Sequence, residues 1–99
     1  MVLEQFVVRI EPDHQAEFEA AMERGLRTVM SRAEGCRGWS FRRSVEHPDR
    51  YQVEIRWASL EAHMTGYRQS PLAPAFRAIV TPFFAEAPQM QHLEVLAAS

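Results

Sequence analysis

A single cysteine, Cys36, leaves this 99-residue chain without a partner for an intrachain disulfide and without the thiolates of a metal cluster. A reducing, cytoplasmic setting is expected. No apolar run approaches the ~18 residues that a membrane-crossing helix requires, and Glu4 follows the start almost at once, with no basic segment leading into an apolar stretch, so no secretory leader is expected. Charge of one sign is also missing: 11 basic and 13 acidic residues give a formal charge of -2, which argues against a polyanionic partner such as nucleic acid. The basic residues are dispersed, and strand alternation would send the adjacent Arg42 and Arg43 to opposite sides. Internal repeats and low-complexity segments are absent.

What remains is one ordinary globular domain spanning 1–99, with 46% hydrophobic residues and enough length for one modest core. Val2 to Ile10 reads as a strand in which Val2, Phe6, Val8 and Ile10 share one side, interrupted by Glu4. Pro12 stops it, and Asp13 is placed to cap a helix. From His14 to about Ala33, Phe18, Met22, Leu26, Val29 and Met30 recur at helical spacing, with the small Ala21 and Gly25 beside them. Gly35 suits a left-handed C-cap, and Gly38 marks the exit before the aromatic run of Trp39 and Phe41.

The turn chemistry of Glu46 to Arg50 predicts a hairpin, whose second strand directs Tyr51, Val53, Ile55 and Trp57 toward a core. Ser59 is a good N-cap, and Leu60, His63, Met64 and Tyr67 form an apolar helical stripe that carries the imidazole inward. Ser70-Pro71 interrupts it; Ala73 to Thr81 resumes helical spacing and Pro82 ends it. Gln89 to Leu96 is the last strand. This order predicts an α+β, ferredoxin-like βαββαβ sandwich, an antiparallel sheet with helices on one face. The other face, bearing Leu3, Val7, Leu93 and Val95, is left to solvent or to a second copy, so a homodimer is expected.

The runs Gly35 to Trp39, Tyr51 to His63, Arg68-Gln69-Ser70 and Gln91 to Glu94, in this order and at these spacings, resemble the antibiotic biosynthesis monooxygenase domain family. The resemblance covers nearly the whole chain. It implies a dimeric α+β barrel with a pocket between each sheet and its helices. Chemistries within the family include cofactor-independent oxidation of anthrones and hydroquinones and haem degradation. Trp57 and Arg77 match pocket residues of the anthrone oxygenase, whereas His63 stands at a tyrosine position and Val53 at an asparagine position. The haem-degrading branch needs an asparagine, a tryptophan and a histidine ligand where this chain has Phe6, Gly66 or Tyr67, and Phe76, and phenylalanine cannot ligate iron. The resemblance therefore implies a site without cofactor or metal.

An oxygenase of that kind needs an apolar pocket, a base, and a positive group to hold the substrate anion. His63 is the candidate base, with an unperturbed pKa of ~6.5; the competing reading is a core histidine bonded to a backbone carbonyl. Arg77 is the candidate anion holder, or else a solvent-facing residue. Trp57, Val53, Tyr67 and Phe84 are candidate substrate contacts that serve equally as core. His14, His47 and His92 lack metal-site spacing and read as surface or interface residues, and Cys36 reads as inert. Two functions fit: a cofactor-independent monooxygenase acting on a small aromatic molecule with dioxygen, or a non-catalytic dimer that binds a hydrophobic metabolite. Cyclase or isomerase work would use the same base without dioxygen.

Overall fold

A computed structural model describes all of residues 1–99. Four antiparallel strands, β1 (Val2–Arg9), β2 (Cys36–Arg43), β3 (Arg50–Trp57) and β4 (Gln89–Glu94), form one sheet in the order β2-β3-β1-β4. Helices α1 (Gln15–Thr28) and α2 (Leu72–Val80) cover one face, with a π-helical segment, Ala62–Tyr67, between β3 and α2. This is the ferredoxin-like α+β fold. Each hairpin or crossover buries a side chain stripe that no element could hide alone, and together they enclose one core.

Alternation decides what enters that core. Val8, Tyr51, Val53, Ile55 and Trp57 are buried, as their parity requires. Phe18 on α1 meets Tyr51, Phe41 and Phe84 edge-on at centroid distances of 5.0, 5.8 and 6.2 Å, a geometry favoured by the ring quadrupoles. Gly25 lets the two helices close up: a Cβ there would lie 3.1 Å from the Phe76 ring. That contact sets the roll of α2, and so the direction of the neighbouring Arg77.

Several boundaries differ from the sequence expectation. Asp13 caps nothing; it lies in a 3-10 turn, Pro12–His14, and α1 starts behind His14 without a side-chain cap. The first helix stops at Thr28, and Met30–Arg32 continues as a separate 3-10 turn. Gly35 does adopt a left-handed φ of 87°, which Cβ sterics make costly for other residues. An added Cβ would also sit 2.7 Å from that of Ala62, so this turn fixes where the π-helical segment begins. Gly38 is not in the exit but within β2, at a register shift opposite Arg56. The last strand ends at Glu94, leaving Val95 and Leu96 beyond it.

Ser59 caps as expected, its Oγ accepting from the Ala62 N–H at 3.1 Å. The stripe that follows is different. His63 and Tyr67 are buried, whereas Leu60 and Met64 are 48% and 37% exposed. The i→i+5 bond from the Arg68 N–H to the His63 carbonyl, 3.0 Å, widens the turn. An α-helical stripe would put all four residues inward; the wider turn aligns only the imidazole and the phenol. On the uncovered sheet face Leu3 pairs with Leu93, and Val7 stands among Gln52 and Gln89.

Candidate functional site

A cavity of about 310 Å³ opens between the helix side of β1 and β3, the β4 edge, the π-helical segment and α2. Its walls are mostly apolar, from Phe6, Ile55, Phe76, Val80 and Met90. The size, near the low end of the ~300–1,000 Å³ usual for ligand pockets, suits a single small molecule. Among the residues singled out from sequence, His63, Tyr67, Arg77 and Phe84 line this space. Trp57 and Val53 do not; both are fully buried one layer behind it.

Trp57 nonetheless shapes the site from behind. Its indole stacks on the His63 ring at 5.1 Å and 19°, and Tyr67 packs against both, 5.8 Å from His63 and 5.4 Å from Trp57. The indole N–H donates to Glu4 Oε1 at 3.0 Å. The same oxygen lies 3.3 Å from His63 Nε2, and His63 Nδ1 lies 2.7 Å from His92 Nε2. A chain of the buried Trp57, Glu4 and His63 and the half-buried His92 thus crosses three strands and the π-helical segment.

Burial dominates the electrostatics of this chain. Desolvation pulls His63 down to about 4, helped by the nearby positive charges of His92 and Arg68. It pushes the Glu4 carboxyl up, against the opposing effects of the Trp57 hydrogen bond and the Arg68 charge. The Glu4–His63 contact is therefore a hydrogen bond between groups drawn toward their neutral forms, not a full ion pair. Tyr67 is likewise held above its ordinary range, by burial first and the Glu4 charge second, with Arg77 acting the other way. Its hydroxyl stays a proton donor at neutral pH.

Two guanidinium groups, Arg68 and Arg77, border the cavity, and neither enters an ion pair. Both are on exposed residues, at the mouth. No group of three or more His, Cys, Asp and Glu side chains has the arrangement to hold a metal ion. The cavity can bind an apolar ring, move a proton within it, and hold an anion at its rim.

Sequence reasoning passed over three of these residues. Glu4 reads as a break in an apolar side, yet it shares the inward parity of Phe6 and Val8 and is only 8% exposed. A carboxylate on a core parity was the available signal. His92 is not a surface residue: pairing of β4 with β1 places it opposite Glu4, half-buried against His63. His63 itself is satisfied by side chains and not by a backbone carbonyl. Arg68 follows His63 by five residues, a spacing that only the π-helical turn brings onto the cavity.

The antibiotic biosynthesis monooxygenase family pattern matches residues 1–81. The chain belongs to this family. A solved structure from Bordetella bronchiseptica, described as a candidate antibiotic biosynthesis monooxygenase, is 33% identical, with a TM-score of 0.88 over 97% of each chain. SnoaB, a cofactor-independent oxygenase from Streptomyces nogalater, superposes with a TM-score of 0.81 over 98% of this chain and 94% of its own, at 14% identity, a likeness of fold. The uncharacterized protein YczJ of Bacillus subtilis is 27% identical over 94 residues, 95% of this chain and 98% of its own. No helix of this family member is long and apolar enough to cross a membrane.

Proposed function

We propose that the protein is a cofactor-independent monooxygenase that oxidises a small aromatic substrate of anthrone, quinol or polyketide type with dioxygen. One observation carries this reading: a buried acid–base pair, Glu4 and His63, and two unpaired guanidinium groups share one largely apolar cavity. Such a substrate supplies its own electrons once deprotonated. The enolate or phenolate gives one electron to dioxygen, the two radicals recombine to a peroxide, and loss of water leaves a carbonyl. Substrate CH₂ plus O₂ thereby becomes C=O plus H₂O. The base unit containing His63 takes the first proton, Arg77 with Arg68 holds the anion, and Tyr67 donates to an oxygen. Phe84 contacts the aromatic body, while Trp57 and Val53 support the wall from behind.

Oxygen uptake with a panel of anthrones and hydroquinones, using metal-stripped protein, tests the reading. Wild type is expected to consume oxygen, and Arg77→Gln to lose about tenfold in kcat/KM, because a hydrogen bond to a charged group is worth ~1.5–3 kcal/mol. If wild type is silent while an apolar ligand still raises its melting temperature, the protein is a binding module instead.

The working form proposed is a cytoplasmic homodimer, packed through the sheet face that carries Leu3, Val7 and Leu93. Val7 is 38% exposed there, and the single free cysteine suits a reducing compartment. Sedimentation equilibrium at micromolar concentration should give twice the 11.4 kDa chain mass. A monomer at that concentration, or a dimer untouched by Leu3→Glu, would rule this face out.

A further inference from the structure

The base itself can be placed on one atom. Both ring nitrogens of His63 are already occupied, Nδ1 by His92 and Nε2 by Glu4, so the imidazole has no free position for a substrate proton. Glu4 is different. Both of its contacts, from Trp57 and from His63, are made to Oε1. No buried side-chain oxygen lacks a partner, and Glu4 lines the cavity, so its second oxygen, Oε2, is unbonded but open to that space.

We propose that Glu4 Oε2 is the proton acceptor in the cavity, and that His63, His92 and Trp57 are positioning residues that orient the carboxyl through Oε1. The inference rests on the reading of the cavity as a site where an acidic aromatic substrate binds. The substrate C–H or O–H bond breaks, its electron pair stays on the ring system as enolate or phenolate, and the proton moves to Oε2. In the oxygenase sequence the peroxide anion takes that proton back from Glu4; the carboxylate then removes the second C–H proton as the C=O forms and the O–O bond breaks, and passes it to the departing hydroxide, giving water. With Glu4 ionised, the indole N–H and His63 Nε2–H both donate to Oε1, and His63 Nδ1 accepts from His92. The free oxygen then projects into an apolar space that does not solvate it, which makes it a stronger base than a carboxylate in water.

A readout that does not need dioxygen separates this proposal from the oxygenase reading. Anaerobic deuterium exchange at the acidic methylene of anthrone, followed by proton NMR, measures abstraction alone. Wild type should accelerate exchange, and Glu4→Gln, which keeps an oxygen for Trp57, should lose about 100-fold or more, within the ~10²–10⁴ range of general base catalysis. His63→Phe, which keeps an aromatic ring against Trp57 but has no N–H, should lose less and move the rising limb of the pH profile upward, because ionised Glu4 loses a donor; a merely structural residue would not move that limb. The charged and titratable groups facing Glu4 are His63 and Tyr67 from the π-helical segment, Arg68 just after it, Arg77 from α2, and His92 from β4.

Thermal denaturation checks that each variant folds. Should Glu4→Gln unfold, Glu4→Asp, which withdraws the carboxylate by one methylene, is expected to slow exchange at least about tenfold. Exchange by a folded Glu4 variant within threefold of wild type, or wild type that fails to accelerate exchange, overturns the proposal. Oxygen uptake on the same samples distinguishes the two claims. Glu4-dependent exchange without oxygen consumption sinks the oxygenase and leaves the base, whereas undiminished uptake by Glu4→Gln sinks the base and leaves the oxygenase.

Discussion

Replacing Trp57 by alanine is expected to cost about 4 kcal/mol of stability, the middle of the ~3–5 kcal/mol range for aromatic truncation in a core. Trp57 is fully buried, and it stacks on His63 and packs on Tyr67 at 5.4 Å. Its loss removes the floor beneath both rings and the indole donor to a buried carboxyl. In a domain of this size each kcal/mol shifts the midpoint by ~4–8 °C, so a fall of roughly 20 °C should appear in thermal unfolding. Trp57→Phe separates the two effects. It keeps most of the packing but withdraws the N–H from Glu4, for an expected loss of about 1–3 kcal/mol. A Trp57→Ala loss below about 1 kcal/mol, measured by urea unfolding, would contradict the central packing role assigned to the indole.

Acid should destabilise Glu4→Gln more steeply than wild type. His63 takes up its proton near 6.5 in the unfolded chain but only near 4 when folded. As pH falls between those values the unfolded chain binds a proton that the folded chain refuses, so stability present above 6.5 is lost on the way down. At ~1.36 kcal/mol per pH unit the full window is worth about 3 kcal/mol. Glu4 works in the opposite sense. Its folded carboxyl holds a proton to higher pH than the unfolded one, so its contribution favours folding in acid and disappears as pH rises through the folded value.

Wild type therefore shows the difference of two opposed slopes, and Glu4→Gln shows the histidine slope alone. Urea midpoints between pH 6.5 and pH 4 should fall faster in the variant, while His63→Gln should leave the Glu4 slope alone, with midpoints that rise as pH falls. A wild-type profile steeper than that of Glu4→Gln would mean that burial does not govern this pair. The same desolvation that creates these slopes also poises Glu4 for proton abstraction. Stability and catalysis thus draw on one buried contact.

The strands were legible from sequence because a strand's pattern is local. The parity of Tyr51, Val53, Ile55 and Trp57 states which face is buried, and the structure buries all four. The helical stripe of Phe18, Met22 and Leu26 was readable for the same reason. His63 was identified as inward-facing, correctly in burial but for a geometry unlike the one its spacing suggested. The i, i+3, i+4, i+7 template presumes an α-helix, and the i→i+5 bond at His63 turns Leu60 and Met64 outward instead. Glu4 was misread because local pattern treats a carboxylate among apolar residues as noise, although its parity placed it inside.

What the sequence by itself determined is the set of elements, their order and the faces they bury, since hydrophobic period and turn chemistry act over a few residues. What only the tertiary structure decided is the site. Glu4 and Trp57 are 53 positions apart and His63 and His92 are 29 apart, and no local rule joins them. Strand register sets Glu4 opposite both Ile55 and His92, the Gly25–Phe76 contact sets the roll of α2, and the widened turn delivers His63 and Tyr67 to the same space. Each of these joins residues that are distant in sequence, and in the assembled core no buried side-chain polar atom is left without a partner.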